Sequence, residues 1–140
     1  MNRKQTQSRK PHRVLKALLI VLAVIILLIG GVMGFALLGK EPTYALNLAG
    51  EGATGLADGT YTGEYNAFRF SNAVAVTVRD QAITDIAVRK AQAVAKPETM
   101  AALRDAVLAA QTTAVDVIAG ATVDSKAYLK AVENALTGAR

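Results

Sequence analysis

From Ala17 to Leu38 the chain runs for 22 residues without a charged or polar side chain. A helix of that length reaches about 33 Å, slightly more than a hydrocarbon core of about 30 Å. The run therefore predicts a transmembrane helix over 17–38. Cleaved secretory signals carry a shorter apolar core of roughly 7–15 residues. An uncleaved anchor is the expectation, and cleavage near Gly34-Phe35-Ala36 is the alternative. Arg3, Lys4, Arg9, Lys10, Arg13 and Lys16 precede the run with no acid among them, whereas Lys40 and Glu41 follow it. By the positive-inside rule, residues 1–16 form a basic cytoplasmic tail of a single-pass cell-membrane protein, and the C-terminal part is extracytoplasmic. Gly30, Gly31 and Gly34 offer a small-residue face on which two such helices could pair.

The charge of +5 belongs to that tail, because from Lys40 onward ten Lys and Arg stand against eleven Asp and Glu. A basic nucleic-acid surface on the soluble part is not indicated, and no nucleic-acid partner is expected. The chain has no Cys, and its one histidine, His12, lies in the tail. Disulfide scaffolds, thiolate metal sites, cysteine nucleophiles and a Ser-His-Asp triad in the soluble domain are thereby excluded. Redox chemistry here requires a borrowed cofactor.

Residues 39–57, with Pro42, Gly50, Gly52 and Gly55, keep no sustained period and read as a flexible linker. Residues 58–140 then form the domain. Tyr61, Gly63 and Tyr65 alternate with Thr60, Thr62 and Glu64, as in a strand, and Val74, Val76 and Val78 repeat the pattern. A turn at Asp80-Gln81 leads to a third strand through Ile83, Ile86 and Val88. The period then changes. Pro97 opens a helix whose face is Met100, Leu103, Val107 and Ala110. A last helix, from about Ser125 to Thr137, carries Leu129, Val132 and Leu136, with Asp124 as N-cap and Gly138 at its end. The expectation is an α+β fold, a small antiparallel sheet packed with two helices and preceded by one N-terminal transmembrane helix.

The segment Asp116-Val-Ile-Ala-Gly-Ala-Thr-Val-Asp124-Ser125 stands immediately before that last helix. Gly120-Ala121 allows close backbone approach, and a phosphate at Thr122 would meet unpaired N–H groups and the positive end of the helix dipole. A small-residue turn before a capped helix explains the same residues without any ligand. Tyr61, Tyr65, Phe68 and Phe70 could stack on a ring or simply pack. Arg89, Lys90 and Lys96 could neutralise a phosphate or simply be solvated.

The Gly-Ala-Thr element behind Asp116, the helix Lys126-Ala-Tyr-Leu-Lys-Ala-Val-Glu-Asn-Ala-Leu136 and the opening Asp58-Gly59-Thr60-Tyr61-Thr62-Gly63 resemble the FMN-binding domain of small bacterial membrane-anchored flavoproteins. The same domain type occurs in the C subunit of the sodium-pumping NADH:quinone oxidoreductase and in the G subunit of its electron-transport relatives. The resemblance covers about Asp58 to Leu136. It implies FMN as cofactor, and an FAD:protein FMN transferase that joins the FMN phosphate to the hydroxyl of Thr122. Asp116 corresponds to the upstream acid of the recognition motif, and Gly120 and Ala121 to the residues of close approach. Ala119 stands where Ser or Thr is more usual, and Asp124 where Thr is frequent. The function implied is electron transfer to and from redox partner proteins. An FMN-binding accessory or sensor module without the covalent bond, and an anchored interaction module without cofactor, are the alternatives.

Overall fold

A computed structural model describes residues 11–139. The tail cations Arg3, Lys4, Arg9 and Lys10 lie outside the described residues. The chain forms two units that divide between Phe35 and Ala36. In the first, helix α1 (Pro11–Leu37) begins, and it is long and apolar enough to cross a membrane. Its side chains from His12 to Leu37 are all exposed within the protein itself.

The second unit contains a short helix α2 (Lys40–Tyr44), strands β1 (Gly59–Tyr65), β2 (Asn72–Arg79) and β3 (Ala82–Lys90), and helices α3 (Pro97–Ala110) and α4 (Thr122–Thr137). The sheet is antiparallel in the order β1-β2-β3. Register follows the alternation seen in the sequence, with Tyr61 opposite Val76 and Val76 opposite Ile86. Asp80 and Gln81 make the tight β2–β3 turn, both at positive φ (50° and 60°), the backbone of a two-residue turn matched to strand twist. Asp58 braces this turn from outside, its carboxylate accepting the Asp80 N–H at 2.8 Å. The Asp-Gly-Thr-Tyr opening is thus a structural element, closed further by Tyr61 Oη donating to the Ala57 carbonyl at 2.7 Å.

Central β2 is the most apolar strand because both its neighbours and α4 cover it. Val74, Val76 and Val78 are fully buried, each stabilising the fold by about 1.5–3 kcal/mol. They pack with Leu129, Val132 and Leu136 of α4 and Leu103 and Val107 of α3. Ala110, expected on the α3 face, is exposed, since the helix ends there and Gln111 turns away at φ 57°. The Gln111 side chain then clamps β3, its Oε1 accepting the Ile83 N–H at 2.7 Å and its Nε2 donating to the Ile83 carbonyl at 2.9 Å. The α+β expectation holds, with α2 as an additional short helix.

Residues 39–57 depart from the flexible linker expected of them. Thr43, Ala53 and Leu56 are buried, and Leu48 packs on the core. The restraints are long-range hydrogen bonds. Glu133 Oε1 accepts the N–H groups of Ala49 (2.6 Å) and Gly50 (3.2 Å), Thr113 Oγ1 accepts that of Glu51 (2.9 Å), and Lys126 Nζ donates to the carbonyls of Tyr44 (2.6 Å) and Leu46 (2.9 Å). Gly39 makes the entry turn at φ 80°, where a Cβ would fall 2.7 Å from the Ala67 carbonyl oxygen.

Candidate functional site at the start of helix α4

The helix α4 starts three residues earlier than its sequence suggests, so Thr122 is its first residue and Ala121 its N-cap. Asp124 is therefore inside the first turn and does not cap, and no side chain among the described residues caps the helix start. The N–H groups of that turn have no partner within the helix, as at any α-helix beginning. The preceding loop is held in place from the helix. Ser125, fully buried, accepts the Ile118 N–H on its Oγ at 3.1 Å, and the Ala121 N–H closes a turn onto the Ile118 carbonyl at 2.9 Å. Gly120 completes the turn at φ 76°, and a Cβ there would touch nothing within 4 Å. Backbone conformation is what requires Gly at this position, and the space beside it is open.

Thr122 lines a cleft of about 340 Å³ with Gly120, Ala121, Val123, Asp124, Lys40, Tyr44 and Arg69. Two cations and a helix N-terminus thus face one opening. The Arg69 guanidinium is 4.0 Å over the Phe70 ring and donates from Nε to the Ala36 carbonyl at 3.1 Å, and among the described residues it has no acidic partner in an ion pair. Lys126 holds the end of α2 and the residues after it, donating to the carbonyls of Tyr44 and Leu46, and lies 5.4 Å from the Tyr44 ring. Burial pushes the Asp124 carboxyl above its ordinary value, while the charge of Arg69 pulls it down. Among the described residues, one oxygen of Asp124 is buried without a partner, as are Asn72 Oδ1 and Gln92 Oε1. Gln92 Nε2 meanwhile donates to the Asp124 carbonyl at 2.9 Å, so the loop after β3 is tied to this same helical turn.

Residues 72–137 match the family model of the FMN-binding domain. The chain carries an FMN-binding domain. Its cofactor is FMN, and the matched span runs from the central strand through Gly120, Ala121 and Thr122 to the end of α4. No curated protein gives a significant match. Within the FMN-binding domain, Gly120, Ala121 and Thr122 come together on the cleft, whereas Ala119 and Asp116 do not line it. Both are exposed on the approach to the loop.

The other expected aromatic and basic residues lie off the cleft. Phe70 is fully buried beside Ala127, and Tyr65 Oη shares a hydrogen bond with Thr43 Oγ1 at 2.9 Å. Phe68 is exposed at 64 %, and Arg89, Lys90 and Lys96 are exposed and do not line the cleft. The cleft takes its cations from Lys40 and Arg69 and its ring from Tyr44. Lys40 and Tyr44 precede the matched span, and their only sequence signal was proximity to the apolar helix.

The cleft fits the phosphate end of FMN. It offers cationic side chains, first-turn N–H groups, an open backbone edge at Gly120 and the partly buried hydroxyl residue Thr122. Asp124 opposes an anion there only when ionised, a form its burial disfavours.

Proposed function

We propose that this protein is a membrane-anchored extracytoplasmic flavoprotein that carries electrons between partner proteins through an FMN joined to Thr122. The observation that carries this reading is the position of Thr122, first residue of α4, in a cleft shared with Lys40 and Arg69 inside an FMN-binding domain. Attachment transfers the FMN moiety of FAD to the Thr122 hydroxyl by an FAD:protein FMN transferase. The Oγ–P bond forms, the pyrophosphate bond of FAD breaks, AMP leaves, and the hydroxyl proton passes to the transferase. Exposed Asp116 and Ala119 present the loop to that enzyme. When bound, FMN supplies reversible one- and two-electron chemistry.

The chain's own residues hold and bias. Lys40, Arg69 and the first-turn N–H groups neutralise phosphate. Gly120 lets the backbone approach it, and Tyr44 offers an aromatic face. The basic tail and α1 keep the domain at the outer surface of the cell membrane. Asp124, and Ala119 in place of a hydroxyl residue, favour a second reading in which FMN binds at the same cleft without the phosphoester.

Intact-mass spectrometry of the protein coexpressed with an FAD:protein FMN transferase tests the first reading. The expected result is a gain of one FMN less water that survives acid denaturation and is absent from Thr122→Ala. An unmodified mass, in cells where the transferase modifies a known acceptor, refutes the covalent bond. Yellow colour lost on denaturation would then establish the reversible reading.

A further inference from the structure

A second cleft, of about 370 Å³, opens between β3 and α3. Its walls are almost wholly apolar: Ile86 and Val88 on the strand, Ala95 in the following loop, and Met100 and Ala101 on the helix. Val88 remains 43 % exposed. Only two lining residues can offer a hydrogen bond from the side chain, Arg104 and Tyr128. Arg104 is already committed, with Nε on the Ile86 carbonyl (3.2 Å) and Nη2 on Asp85 (2.7 Å). Tyr128 is not. Its side chain is 1 % exposed, and its hydroxyl has no partner among the described residues.

A buried, unpaired hydroxyl costs about 1–3 kcal/mol, and such groups in folded proteins are nearly always satisfied. Phenylalanine would fill the same volume without that cost. Tyr128 is itself one of the residues that line the cleft, so its unpaired hydroxyl belongs to the same wall as Ile86, Met100 and Arg104. Burial raises its pKa to about 12, so that it remains an O–H donor at physiological pH.

We propose that the β3–α3 cleft binds a flat, apolar ring with a carbonyl oxygen at one edge, the chemistry of a quinone, and that Tyr128 donates its hydroxyl to that carbonyl. The volume lies in the range of small-ligand pockets and suits one or two fused rings. The apolar walls take the faces, and the single donor fixes the edge. Two sources present this chemistry: a free quinone, and the carbonyl edge of a flavin ring carried by the protein itself. Binding of a free quinone to flavin-free protein does not depend on attachment at Thr122, so the two readings fail separately.

The test uses full-length Thr122→Ala protein, free of flavin, in detergent and titrated with menadione by calorimetry. Variants carrying Tyr128→Phe or Ala101→Trp in addition are titrated at equal detergent. Saturable binding is expected. It weakens about tenfold in Tyr128→Phe, the worth of one hydrogen bond, and disappears in Ala101→Trp, where an exposed wall residue is enlarged to fill the opening. The carbonyl stretch of bound menadione shifts to lower frequency only when Tyr128 is present. Because Tyr128→Phe removes an unpaired polar group, its folding stability is equal to or above that of its parent, so lost binding does not reflect unfolding. Menadione that binds flavin-free but not flavin-loaded wild-type protein assigns the cleft to the protein's own flavin ring. Binding to both assigns it to a free quinone. Partitioning indistinguishable from empty micelles, or affinity unchanged by Tyr128→Phe, overturns the proposal.

Discussion

Replacing Gly63 by Ala tests the contact that sets the height of α4 over the sheet. Gly63 lies in β1 opposite Val74 and directly beneath α4. An added Cβ would fall 2.8 Å from the Ala135 Cα, and nearer still to the Ala135 nitrogen and the Ala131 carbonyl oxygen. Carbon atoms in good contact are about 3.5–4.0 Å apart, so strand and helix must separate by about 1 Å. None of the opposing atoms belongs to a flexible side chain that could swing aside. Overpacking costs about 1–3 kcal/mol, and a clash between two backbones lies at the upper end, about 3 kcal/mol. For a domain of about 100 residues that lowers the midpoint of thermal unfolding by roughly 12–24 °C.

Urea unfolding of the full chain in detergent, followed by tyrosine fluorescence, reads the domain alone, because all four tyrosines lie beyond Lys40. Gly59→Ala is the control, since the nearest atoms to its Cβ would be those of the Tyr61 phenol, at 3.5 Å, an ordinary contact. It is expected to cost less than about 1 kcal/mol. A Gly63→Ala protein within about 1 kcal/mol of wild type, with an unchanged denaturant slope, refutes the reasoning about β1 and α4. Because α4 also begins at Thr122, FMN retention is expected to fall in Gly63→Ala and to persist in Gly59→Ala.

Glu133→Ala removes the acceptor of two backbone N–H groups and the partner of Lys130 (2.6 Å) from a side chain 2 % exposed, with an expected loss of about 3–5 kcal/mol by urea unfolding. Glu133→Gln, which keeps one carbonyl oxygen, is expected to lose less. Lys126→Met releases the carbonyls of Tyr44 and Leu46, so trypsin cleavage at Lys40 is expected to accelerate about tenfold while the urea midpoint hardly moves. Asp124, whose carboxyl is raised by burial, supports the fold fully below the ordinary value of 3.8, and that support is lost as pH rises through its raised folded value. Asp124→Asn is therefore expected to flatten the pH dependence of urea unfolding in that window and to be more stable than wild type at about pH 7.

Strands, core faces and the fold class were legible because their signals are local and periodic. Val74, Val76 and Val78 alternate in any register, and Leu129, Val132 and Leu136 share a helix face whatever they pack against. The start of α4 was less legible. Asp124 has the composition of a cap, but the Ser125 hydroxyl and the left-handed Gly120 fix the loop so that the helix begins at Thr122. The order of residues 39–57 was hidden for another reason. It depends on Glu133, Thr113 and Lys126, each more than 60 positions away, bonding to backbone atoms that carry no side-chain signature. For the same reason Lys40, Tyr44 and Arg69 were missed at the cleft, although Thr122 and its neighbours were found.

That docked segment bears on the proposed role of a tethered electron carrier. Nearly twenty free residues would let a domain search a wide volume for donor and acceptor at high effective concentration. Here α2 begins three residues after α1 ends, and the following residues are spent in contacts with α4. Lys126 and Glu133, which hold them, lie on the helix whose first residue is Thr122. The segment expected to be a tether therefore contributes Lys40 and Tyr44 to the cleft that holds Thr122. Lys126→Met separates these roles. If free reach limited electron transfer, releasing the segment would speed exchange with partners even as the cleft loses Lys40 and Tyr44. If the segment serves as a wall, its release weakens FMN binding and slows exchange together.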